Sequence, residues 1–161
     1  MFQTLKSLQF HSITIISAVV AAITTFATLS AALPAWAMFL GWVGYSTSGQ
    51  TTREGIANLG SFLVGIVFGV GTALLIGWLT PSLGAAATPV AVFVDVIVVL
   101  SLRAVPHLNN PLAYFCGLIS YFASMLAPSV STMGLLAAAG VLGALGAGTA
   151  AVLQARFART V

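Results

Sequence analysis

Charge is what this chain has least of. Of its 161 residues only 4% are Asp, Glu, Lys or Arg, where a soluble domain carries about a quarter. An ordinary water-facing surface cannot be assembled from five cations (Lys6, Arg53, Arg103, Arg156, Arg159), two acids (Glu54, Asp95) and two histidines (His11, His107). That scarcity excludes a soluble enzyme, a nucleic-acid binder with a basic face and a disordered tail. Cysteine is scarcer still. Cys116 stands alone and cannot pair within the chain, so neither a disulfide scaffold nor a cysteine zinc site is expected. There is no Ser/His/Asp set, no metal-ligand cluster and no phosphate loop, so no catalysis, cofactor or metal is expected either.

What is present is apolar sequence, 60% of the chain. A spanning helix needs ~20 apolar residues. Four runs meet that need: Ser12–Leu33, Ile56–Leu79 (before the Thr80-Pro81-Ser82 break), Thr88–Val105 and Met133–Leu153. Lipid offers the backbone no hydrogen-bond partner, which makes them helices. Two further apolar segments, Pro34–Ser48 and Pro111–Ser124, have 15 and 14 residues. As helix each reaches only about 21–22 Å. Each begins with Pro, which suits a first helical turn, and each dissolves into Ser, Thr, Gly or Pro. They are short broken spans or re-entrant half-helices.

Charge placement favours spans. With both short segments crossing, the chain makes six passes, and Lys6, Arg53, Arg103 and the Arg156/Arg159 pair share one face. The opposite loops, around Pro34, Pro81–Ala86 and Ala127–Val130, carry no cation. The positive-inside rule then makes that face cytoplasmic, with both termini inside. Lys6, the first apolar run and Ala35-Trp36-Ala37 resemble a signal peptide, but the run is longer than a signal core and reads as an uncleaved first span. His11 and His107 fall at the cytoplasmic boundary. Thr52, Glu54 and Gly55 read as a helix start, with Glu54 suited to the positive end of the dipole.

The two short segments align at an offset of 76: Phe39-x-Gly41-x-x-x-Tyr45-x-x-Ser48 on Phe115-x-Gly117-x-x-x-Tyr121-x-x-Ser124. Gly69/Gly71 and Gly146/Gly148 follow at an offset of 77. Repeats of about 12–80 and 88–155 would each hold three passes. An odd number turns the second half upside down. The expected fold is therefore one all-α membrane domain over residues 1–161, six helices in a 3+3 inverted repeat with short second and fifth members. Such repeats build transporter sites at the midplane, where short helices face each other.

The candidate site follows from that expectation. A path between the short helices would be lined by Phe39, Gly41, Tyr45, Ser48, Phe115, Gly117, Tyr121 and Ser124, with Tyr45 and Tyr121 at the constriction. Hydroxyls without a ring of charge suit a small, mostly uncharged polar solute. The leading expectation is a channel or facilitator for such a solute. Asp95, alone inside the run Val92–Ile97, supports a proton-coupled transporter instead, because an ionisable group in a span is costly. A third reading is a non-transporting subunit that docks a partner. Glycines at 60, 65, 69, 71, 134, 140, 143, 146 and 148 let helices approach closely, within the chain or in a homo-oligomer.

The stretch Leu33-Pro34-Ala35-Trp36-Ala37-Met38-Phe39-Leu40-Gly41-Trp42, continuing to Tyr45 and Gly60-Ser61-x-x-x-Gly65, resembles the DUF1097 family of small bacterial inner-membrane proteins over nearly the whole chain. That resemblance implies similar size and hydropathy and brings no established activity. The 3+3 arrangement looks like formate/nitrite channels and, more loosely, urea channels in architecture alone, and it lacks the central paired histidines of some of them.

Overall fold

The computed structural model describes residues 2–47, 51–106 and 108–160, with side chains between 11 and 158. It is all helix: α1 Phe2–Ser30, α2 Ala35–Ser46, α3 Thr52–Leu83, α4 Ala87–Ser101, α5 Pro111–Ser124 and α6 Val130–Thr160. Short 3₁₀ turns, Gly84–Ala86 and Leu102–Ala104, flank α4, and no strand occurs among the described residues. Three helical stretches, His11–Ser30, Thr52–Ala104 and Val130–Ala158, are long and apolar enough to cross a membrane. The chain is an all-α membrane protein.

Local chemistry sets the helix ends. Thr51, one residue before the expected start, caps α3: its hydroxyl accepts from the Glu54 N–H at 3.3 Å, and Glu54 Oε2 accepts from the Thr51 N–H at 3.3 Å. This reciprocal pair is a capping box. The expected break at Thr80-Pro81-Ser82 does not end α3, which runs through Pro81 to Leu83. Proline frees one carbonyl a turn earlier, and the Thr80 hydroxyl donates to the neighbouring Ile76 carbonyl at 2.7 Å. The stop comes at Gly84, where φ is +52°; only glycine takes that conformation without strain. There the chain doubles back, and α4 packs along α3. Pro34 stands just outside α2 as its N-cap, whereas Pro111 opens α5 behind the Asn110 cap.

Helix directions follow from contacts between their ends. Asn110, which caps α5, donates to Thr47 at the end of α2, while Trp36 and Ala123 line one groove at the other ends of the two helices. The short helices are therefore antiparallel neighbours. Gln154 of α6 donates to the Ile13 carbonyl of α1 at 3.3 Å. The starts of α1, α3 and α5 and the ends of α2 and α6 thus gather at one pole, and α4 ends there too, where Leu102 and Leu108 pack beside Tyr114. Arg53, Arg103 and Arg156 all belong to this pole. The opposite connections, Ala31–Pro34, Gly84–Ala86 and Met125–Ser129, contain no charged residue.

The core is built on two very close crossings. α2 packs on α6, and α5 on α3. A Cβ at Gly41 would overlap the backbone of Gly140, and one at Gly143 the Met38 carbonyl. On the other side, a Cβ at Gly117 would overlap the Phe62 carbonyl, and one at Gly65 the Tyr114 carbonyl. Phe62, Ile66, Met38 and Leu136, each at most 1% exposed, fill the space between the crossings.

Candidate functional site

The expected pore residues do not converge. Tyr45 and Tyr121 each stand near the end of a short helix, and because the helices are antiparallel they lie at opposite poles. Gly41 and Gly117 are spent on the two backbone crossings. Phe39 is exposed on the outer surface. Phe115 packs against the cluster of Val99, Tyr114 and Leu118. Tyr121 is 4% exposed, with its ring over Gly69 and its hydroxyl donating to the Leu126 carbonyl at 3.4 Å. Ser124 serves its own helix end, donating to the Tyr121 carbonyl at 2.7 Å. Ser48 and His107 lie outside the described residues.

The groove that does run between α2 and α5 is apolar. Trp36, Phe39, Leu40, Val43, Ile119 and Ala123 line a space of about 510 Å³. Among the described residues no hydroxyl or amide side chain lines it, so a polar solute would lose its water for little in return, a cost of several kcal/mol. A path between these helices, as the spacing predicts, has almost no polar lining on this face.

The polar cavity is on the other flank of α2, at the cationic pole. About 500 Å³ is enclosed by the start of α1, the end of α2, the start of α3 and the last turns of α6. Tyr45, Ser46, Thr51, Thr52 and Gln154 provide its polar side chains; Ala147, Gly148, Ala151, Ala155 and Ala158 provide a smooth apolar wall. Among the described residues no lining residue is charged. Small side chains on α6 create the volume, because Ala and Gly withdraw from space that larger residues would fill. The Tyr45 ring is wedged between α3 and α6: a Cβ on Gly55 would strike it, and one on Gly148 would stand 3.1 Å from its hydroxyl. Gln154 also donates to Ser17, which pins α1 against α6.

Beside the cavity lies a buried amide knot absent from the sequence-level site. Asn58, 3% exposed, donates to the Tyr45 carbonyl at 3.2 Å and accepts from Asn110 at 2.9 Å. Asn110 also donates to Thr47, and Thr47 donates to the Gly44 carbonyl at 2.8 Å. Three helix ends are thereby tied together next to Tyr45. A lone amide in an apolar helix and an Asn-Pro pair at a helix start were the signals available for it. Asp95 is buried elsewhere, between α4 and α3, where it hydrogen-bonds Thr72. Among the described residues no cluster of His, Cys, Asp and Glu could hold a metal.

Compared with known proteins, residues 14–151 match the model of a family described as "Protein of unknown function (DUF1097)". No curated protein and no solved structure matches the chain.

Proposed function

We propose that this chain, which belongs to the DUF1097 family, is a six-pass inner-membrane facilitator for a small, uncharged polar solute, loaded from the cavity beside Tyr45. The observation that carries this reading is the lining of that cavity, in which hydroxyls and an amide face small aliphatic side chains with no charge among the described residues. Neutral donors and acceptors can replace the hydration of a neutral solute, while an ion would enter without a counter-charge. The cavity is closed toward the midplane by Tyr45 over Gly148 and by the Gly41–Gly140 crossing. Solute reaches the pathway from one side, and passage requires the α2–α6 contact to loosen. The pathway therefore follows α2 and α6 rather than the groove between α2 and α5.

The contact pattern supports an inverted repeat. Gly41 on Gly140 corresponds to Gly117 on Phe62, and Met38 on Gly143 corresponds to Tyr114 on Gly65. The short helices keep the offset of 76, but these contacts put the long helices at 78, not the 77 of the Gly-x-Gly pairs. The antiparallel short helices fit an inversion, and the cationic pole fits a cytoplasmic side.

The test is solute flux into vesicles holding the purified protein, read by light scattering with urea, acetamide and glycerol. Ala151→Trp, which fills the cavity from an exposed position on α6, is expected to lower the rate by an order of magnitude, and Phe39→Ala, in the apolar groove, to leave it unchanged. Equal rates for empty vesicles and protein vesicles across all three solutes defeat the reading.

A further inference from the structure

A second polar pair lies away from the cavity. α4 carries one carboxyl, Asp95, within an otherwise apolar run. Ala87, Ala91, Asp95 and Val99 are buried at four-residue spacing, whereas Val92, Phe93, Val94 and Ile97 are exposed. Four-residue spacing puts the buried set on one helix face, and that face meets α3. Asp95 is 9% exposed and its partner on α3, Thr72, 4%.

The charged groups around this pair are few. On α3, Arg53 and Glu54 lie in the first turn, at the far end from Thr72. On α5, Tyr114 packs with Val99, Tyr121 lies over Gly69, and Cys116 belongs to the central core. The turn before α4 has no titratable residue. In the turn after it Arg103 donates to the Leu100 carbonyl at 3.0 Å. A carboxylate at Asp95 thus has a hydroxyl to accept from and no cation to pair with among the described residues. In the membrane interior that form is costly. An asparagine would bind Thr72 without that cost. What a carboxyl adds to an amide is the ability to take up and release a proton.

We propose that Asp95 and Thr72 form a proton-binding site inside the membrane, and that its occupancy regulates solute passage by changing the fit of α4 on α3. On proton uptake the carboxylate becomes a carboxylic acid, whose O–H can donate to Thr72. On release the Thr72 hydroxyl donates to the carboxylate. The same helix, α3, begins at the rim of the cavity with Thr51 and Thr52, which gives the proton site a rigid connection to the solute site. The coupling half of this proposal rests on the solute reading above; the proton site does not.

Infrared spectroscopy tests the site directly. Glu54→Gln leaves Asp95 as the one side-chain carboxyl, and the full chain is reconstituted in phosphatidylcholine vesicles. A carboxylic-acid carbonyl band that fades as pH rises is expected, lost in Glu54→Gln/Asp95→Asn and shifted in frequency in Glu54→Gln/Thr72→Val. A band that ignores pH, or a titrating band unchanged by Asp95→Asn, overturns the proton site. Uptake of urea, acetamide and glycerol under an inward proton gradient tests coupling: the gradient should accelerate the wild type and leave Asp95→Asn unaffected. Wild-type uptake indifferent to the gradient overturns coupling alone. No uptake of any solute overturns coupling together with the solute reading, and the infrared result still decides the proton site.

Discussion

Asn58 and Asn110 show how a few polar atoms can set a fold made mostly of hydrocarbon. Interhelical hydrogen bonds in membrane proteins average only about 0.6 kcal/mol each, so no single bond in this knot dominates. Asn110 is unusual because one side chain performs two jobs: its amide nitrogen ties α2 and α3, and its oxygen accepts from the Ala113 N–H at 3.4 Å to cap α5. Loss of a cap costs about 1 kcal/mol, and loss of the knot adds a similar amount. Asn110→Ala is therefore expected to lower stability by about 2 kcal/mol, read from unfolding in mixed detergent micelles. Asn58→Ala should be less costly, and the double variant should fall short of additivity by about 0.5–1 kcal/mol. Strict additivity would mean that the two amides act independently. The caps were half legible in the sequence: Pro111 marked the start of α5, and Thr with a following Glu marked α3 to within one residue. Asn58 was hidden, because its partners come from segments 13 and 52 residues away.

Glycine divides the helices into faces that the sequence alone does not separate. Every glycine of α3 and α6 is equally small, yet Gly143 meets the Met38 carbonyl while Gly60, Gly71 and Gly134 meet nothing within 4 Å. Forcing a methyl into a packed contact costs typically 1–3 kcal/mol, and here the obstacle is backbone that cannot rotate away. Gly143→Ala is expected to destabilise by about 2 kcal/mol or more and to reduce the yield of monodisperse protein. Gly71→Ala should be neutral or stabilising by up to ~1 kcal/mol, since Ala is the better helix former. Matched losses from both substitutions would mean that the α2–α6 crossing is not formed as described. The short helices themselves were legible, α5 with its exact limits, because Pro and polar residues bracket them. Their side-chain directions were not. Spacing aligned Tyr45 with Tyr121 as a pair, but alignment along the chain becomes separation in space once the helices run in opposite directions. The end of α3 was misplaced for a related reason: Pro81 is a strong local signal, yet the longer helix survives it and Gly84 makes the turn.

At the scale of the whole molecule, six helices of unequal length run between two unlike poles. α2 and α5, with 12 and 14 residues, reach about 18 and 21 Å, short of a hydrocarbon core about 30 Å thick. Neither would be stable as an isolated span. Each packs chiefly on one long helix, α2 on α6 and α5 on α3, which have 31 and 32 residues. Whether the short helices carry the chain across is a question of sidedness. If all six cross, Arg53, Arg103 and Arg156 lie together in the cytoplasm and Ser131 lies outside. If α2 and α5 return to the side they came from, Arg53 and Arg103 go outside and Arg156 stays within. Cys116 is buried and gives a silent background for single-cysteine variants at Arg53, Arg103, Ser131 and Arg156, all exposed positions. A membrane-impermeant maleimide added to right-side-out vesicles is expected to label Ser131→Cys alone, with the three arginine positions reacting only after permeabilisation. Labelling of Arg53→Cys and Arg103→Cys from outside, with Arg156→Cys protected, would make the short helices re-entrant. The inverted repeat and the one-sided cavity would then both lose their footing, because each requires α2 and α5 to pass through the bilayer in opposite senses.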